Sequence, residues 1–138
     1  MSVARTPVVT PDVHEATRQI AVQASDVTPP IAVLRGVFAG WLIAMVVWTL
    51  AAVDSAGIPI IVSLTYLVGL AGLTHVVVGS MEVLFLVMTG VKTWASYLTA
   101  YMTPTLLGNI LGGVSLVSAL NYAQVIAGTP RSGRITRV

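Results

Sequence analysis

An all-α polytopic membrane protein with three spanning helices, the middle one interrupted, is the architecture this sequence predicts. Composition is the first reason: 56% of residues are apolar and 9% charged, at mean hydropathy +0.90, where a soluble domain carries about 25% charged residues. The second is the run from Ile58 to Val91, in which His75 and Glu82 are the only acidic, basic or imidazole side chains. One crossing takes roughly 20 residues, so this run must be two helices or one broken helix. Within it, Gly69 to Ser80 supplies glycines and hydroxyls that could satisfy a broken backbone at membrane depth, provided it lines a cavity and does not face lipid.

Residues 1–30 lack the apolar core of a signal peptide, because Asp12, His14, Glu15, Arg18, Gln19, Gln23 and Asp26 interrupt them. Thr10-Pro11-Asp12 forms a helix start, with a cap residue, a proline at the first position and an acid in the first turn. Val13, Ala16, Ile20, Ala24 and Val27 follow at helical spacing, and Thr28-Pro29-Pro30 is expected to end this amphipathic helix. It reads either as a lead into the first span or as an interfacial lid.

The membrane domain covers residues 31–127, with spans at about 31–53, 58–89 and 104–126, the second interrupted near 74–80. Arg35 stands at the entrance of the first span, Asp54-Ser55-Ala56-Gly57 turns the chain after it, and Pro59 suits the first turn of the next helix. Gly90 to Thr103, with Lys92, Trp94, Tyr97 and Tyr101, reads as an interfacial loop. Residues 128–138 form a tail whose Arg131, Arg134 and Arg137 suit a juxtamembrane segment, not a nucleic-acid patch. Gly36 and Gly40 in the first span, and Gly108 and Gly112 with the adjoining Gly113 in the last, have the spacing that lets helices approach closely in lipid.

His75 carries the sharpest chemistry. A neutral imidazole can donate to an anion, and on protonation, near an ordinary pKa of about 6.5, it offers a positive charge. Arrival of an anion and protonation would then be coupled; a histidine bonded to a neighbouring helix is the alternative. Glu82, seven residues on, could carry a proton in the same path or pair with Arg35, Lys92 or the backbone. Asn109, deep in the last span, suits interhelical hydrogen bonding and pore lining equally. Nothing stands at metal-ligand spacing, the chain has no cysteine, and no nucleophile–base pair or phosphate loop is visible. Neither catalysis nor a cofactor is expected.

Arg35-Gly36-Val37-Phe38-Ala39-Gly40-Trp41-Leu42-Ile43, then Gly72-Leu73-Thr74-His75, then Pro104-Thr105-Leu106-Leu107-Gly108-Asn109-Ile110-Leu111-Gly112-Gly113 together resemble the formate/nitrite transporter family. The resemblance runs from about Leu34 to Val125 and covers the second half of a usual member. It implies one of two inverted three-helix repeats of an aquaporin-like protomer, a pentameric assembly in the cell (inner) membrane, and His75 as the histidine that meets the permeating anion. Gly40, Thr74 and Gly79 stand where the family usually has asparagine, an acid and asparagine, and Val68 where an aromatic is common, which suggests a divergent branch.

The expected function is transport of a small monovalent anion, proton-linked through His75, with Thr74, Gly79, Ser80, Glu82 and Asn109 along the substrate pathway. Because a family pore lies between two interrupted helices, a piece of a longer transporter is the favoured account. A missing first-repeat partner, or copies inserted in opposite orientations, would complete the pore. The rival reading is a membrane scaffold whose glycine faces dock another membrane protein, with lipid as its surroundings in either case.

Overall fold

The computed structural model describes residues 10–53 and 55–128. Asp54 and the basic tail from Thr129 onward lie outside the described residues, as do Met1 to Val9. The described chain is built of helices: α1 (Pro11–Ser25), α2 (Pro29–Leu50), α3 (Gly57–Leu70), α4 (Val76–Met88), the short α5 (Trp94–Ser96), a π-helix (Tyr97–Met102) and α6 (Thr103–Gly128).

α1 begins as its sequence suggests, with Thr10 extended at the cap and Pro11 in the first turn, although the Thr10 hydroxyl makes no capping bond. Arg18 donates to Glu15 at 2.9 and 3.0 Å, and hydrogen bonds from Arg18 and Gln19 bring the Glu15 carboxyl down to about 2. The helix lies against α4, where the His14 ring meets Phe85 at 5.2 Å and Ala21 and Ser25 are buried. Lys92 donates to the Ser25 carbonyl at 3.1 Å, a cation on the negative end of the helix.

Pro29 and Pro30 do not close α1, contrary to expectation. α1 stops at Ser25, and the prolines form the first turn of α2, where a missing N–H costs nothing. α2, 22 residues long, ends at Leu50, three residues short of the predicted boundary. It packs along α6, and their glycines explain how closely. A Cβ on Gly36 would stand 2.9 Å from the Thr105 carbonyl oxygen, and Cβ atoms on Gly40, Gly108 and Gly112 would overlap the backbone of Asn109, Val33 and Val37. A Cβ on Gly113 would meet nothing nearer than 3.9 Å, so this glycine is not needed for the approach. Trp41 Nε1 donates to Ser115 Oγ at 2.8 Å, and Ser115 donates to the Gly112 carbonyl at 2.9 Å, tying the two helices further along.

The middle apolar run is broken, but at Ala71–His75 and not at 74–80. Gly79 and Ser80 are helical, within α4. The chain leaves α3 through Gly72 at φ +57°, with Gly72 N–H on the Gly69 carbonyl and Leu73 N–H on the Val68 carbonyl. That bond pair is a Schellman ending, and it places the break at the glycine best able to adopt it. α4 ends the same way at Gly90, φ +79°, with Gly90 and Val91 bonded to the carbonyls of Val87 and Leu86.

Residues 94–102, expected as loop, are helical and continuous with α6. Here the backbone widens into the π-helix, which turns Tyr97 and Tyr101 inward against Val83. α2 and the continuous helix Trp94–Ala127 are long and apolar enough to cross a membrane. α3 and α4, at 14 and 13 residues, each reach about 20 Å against a hydrocarbon core of about 30 Å.

The glycine contacts make opposite predictions for two adjacent positions. Gly112→Ala should destabilise the protein by about 1–3 kcal/mol through overlap with Val37. Gly113→Ala should be neutral or stabilising by up to about 1 kcal/mol through helix propensity. Thermal unfolding of both variants in one detergent reads the signs directly.

Candidate functional site

The break between α3 and α4 is held by Asn109. From α6, its Oδ1 accepts the Val76 N–H at 3.0 Å, while its Nδ2 donates to the carbonyls of Thr74 at 3.1 Å and Gly36 at 3.0 Å. The side chain therefore satisfies backbone groups on both sides of His75 and fastens them to α2. Thr74 adds a second strut: it is buried, and its hydroxyl donates to the Ala32 carbonyl at 2.9 Å.

With those groups closed, His75 is left facing a cavity of about 570 Å³. The walls come from α1 (Ile20, Gln23, Ala24), α2 (Arg35, Ile43), α3 (Thr65, Val68, Gly69), the break (Gly72 to His75), α4 (Val78, Gly79, Glu82) and Tyr101. His75 Nδ1 is buried and has no hydrogen-bond partner among the described residues. Arg35 and Glu82 share the cavity, yet neither belongs to an ion pair among the described residues. The pairing of Glu82 with Arg35 or Lys92 considered from the sequence is thus not formed, and Lys92 is engaged with the end of α1.

Of the residues expected along the pathway, His75, Thr74, Gly79 and Glu82 come together on the cavity wall, whereas Ser80 and Asn109 do not line it. Asn109 lies behind the break as its support. Gly79 has a clear steric reason to be glycine, since any Cβ there would overlap the Tyr101 phenol. Sequence reasoning missed Tyr101, and it placed Arg35 only at the mouth of a span. The spacing of Tyr97 and Tyr101 was the available signal, but only a helical reading of 94–102 puts them on one face. Among the described residues, no three side chains of metal-ligand type come together.

Residues 1–123 match the family described as formate/nitrite transporter. The chain is also 34% identical over 119 residues to the inner membrane protein YfdC of Escherichia coli strain K12, an alignment covering 86% of this chain. The chain belongs to the formate/nitrite transporter family. It spans 38% of the length of that curated relative, and no solved structure matches it. Membership in a membrane transporter family accords with the two helices long and apolar enough to cross a bilayer.

The Asn109 arrangement predicts a specific loss. Asn109→Leu fills similar volume but strands the Val76 N–H and the Thr74 carbonyl, each worth about 1–3 kcal/mol when buried without a partner. The variant should unfold at least about 2 kcal/mol more easily. In native-state hydrogen exchange the Val76 amide should lose protection more than the amides in the middle of α6.

Proposed function

We propose that this chain forms part of a pathway for a small monovalent anion of the formate or nitrite kind across a membrane, with His75 as the group that meets the anion. The observation that carries the reading is the His75 Nδ1, buried and unpartnered at the edge of a cavity beside a helix break. Backbone breaks at membrane depth are tolerated where they line a cavity, and an intramembrane ionisable residue left open there marks a substrate path.

In this reading α3 and α4 cross the bilayer together as one interrupted span between α2 and the helix containing α6. This gives three crossings and one repeat of an aquaporin-like protomer. The anion reaches the cavity, accepts a hydrogen bond or a proton at His75, and leaves as the weak acid or with a compensating proton. Thr74, Gly79 and Glu82 shape the wall, and Asn109 holds the interrupted helix in place. A second, inverted three-helix unit, from a partner or from another copy, faces the same cavity, and such protomers assemble as a homo-oligomer, a pentamer by family resemblance.

The scaffold alternative relied on glycine faces free to dock another protein. Gly36, Gly40, Gly108 and Gly112 instead pack α2 on α6 within the chain, so that alternative loses its docking surface.

Reconstituted in liposomes with an inward proton gradient, the protein should take up formate or nitrite. His75→Ala should lower that uptake at least about tenfold, the loss of a hydrogen bond to a charged group. Size-exclusion profiles of the two proteins should be the same. Equal uptake by both proteins would remove His75 from the pathway.

A further inference from the structure

We propose that Tyr101 is a specificity-determining residue of the cavity, its hydroxyl donating to an oxygen atom of the passing anion. The inference rests on the anion-pathway reading above and adds to it a residue that the sequence placed in a loop.

Three independent features converge on the phenol. The backbone at Tyr97–Met102 is π-helical, a rare geometry that recurs at functional sites because it re-aims side chains. Tyr101 is only 4% exposed, and it lines the same cavity as His75 and Glu82. Its hydroxyl makes no hydrogen bond to a partner among the described residues, and its oxygen is not among the polar atoms sealed from the space around them. A buried phenol normally finds such a partner, so a tyrosine kept here for packing alone would be better replaced by phenylalanine. Finally, Gly79 leaves the space that the phenol occupies, and a Cβ there would overlap the ring and its oxygen. Within about two turns, His75 caps the start of α4, Gly79 leaves the gap for Tyr101, and Glu82 follows.

The chemistry of the three groups differs in a useful way. Imidazole can donate or accept, and an ionised carboxylate only accepts. The phenol O–H is a neutral donor that needs no proton uptake to hold an oxyanion. A directional donor favours an anion with oxygen lone pairs in a fixed plane, such as formate or nitrite, over a spherical halide of similar charge.

Tyr101→Phe keeps the ring against Gly79 and removes the oxygen alone. In liposomes the variant should lose about tenfold in formate uptake while chloride passage is little changed. Equal loss for both anions, or none for either, would overturn the proposal, because a purely structural role moves both together. The second readout does not require transport. In nanodiscs, the full chain labelled with 13C at tyrosine Cζ is titrated with formate, and the Tyr101 resonance is assigned by its absence in Tyr101→Phe. A saturable shift of Tyr101, with Tyr66 and Tyr122 unmoved, supports the site even where the wild-type protein carries no formate, an outcome that would sink only the transport reading. A Tyr101 resonance that stays still, or moves equally with the others, overturns the assignment.

Discussion

A break between two helices exposes N–H and C=O groups that must find partners, and in this protein the Asn109 side chain supplies them. One primary amide has two donors and an acceptor of suitable geometry to bridge both sides of a break. A hydroxyl, with a single donor, could not serve both carbonyls, and an ionised carboxylate has no donor and would bring an uncompensated charge. The remaining architecture follows from placing that amide. Asn109 reaches Gly36 as well as the break, so α2 and α6 must approach until their backbones nearly touch. The glycines at 36, 40, 108 and 112 are the consequence.

The same economy of volume recurs on α4. Gly79 admits the Tyr101 ring, which the π-helix turns inward. Tyr97, four residues earlier, is buried by the same turn and joins Tyr101 and Val83 in a small core, onto which Val27 from the α1–α2 connection also packs. α1 therefore does more than lead into α2. It covers one side of the cavity with Ile20, Gln23 and Ala24, while Lys92 pins its last turn.

Much of this was legible in the residues, and what was not has identifiable physical causes. The start of α1, the presence of α2, the existence of a break near His75 and the intimacy of α2 with α6 follow from local rules: proline at a first turn, apolar length, glycine spacing. The position of the break was misjudged because Gly72 and Gly79 look alike in sequence. Only one adopts positive φ, while the other is small to admit a neighbour distant in the chain. Pro29 and Pro30 can end one helix or begin the next, and the three-residue connection from Asp26 to Thr28 decided the matter. A π-helix has no signature in sequence spacing, so the sequence alone reads Tyr101 as part of a loop. Asn109 was recognised as important, but whether it lined the cavity or supported it depended on partners that the sequence does not place.

Some polar groups of the apolar helices have their hydrogen bonds closed within the chain, while others gather at one cavity. Thr74, Asn109, Trp41 and Ser115 have their hydrogen bonds closed within the chain. His75, Arg35, Glu82 and Tyr101 line a single cavity, and none of them is closed by a side-chain hydrogen bond or ion pair among the described residues. Thr105 has a buried, unpartnered hydroxyl but does not line that cavity, and nothing in the structure explains it. In a hydrocarbon setting an open polar group is costly unless water or a ligand completes it. A basic group, an acid, an imidazole and a phenol gather at one volume whose walls are otherwise mostly apolar. The arrangement also explains why the supporting amide lies behind the wall: a strut already bonded to three backbone groups could not also release a passing ion.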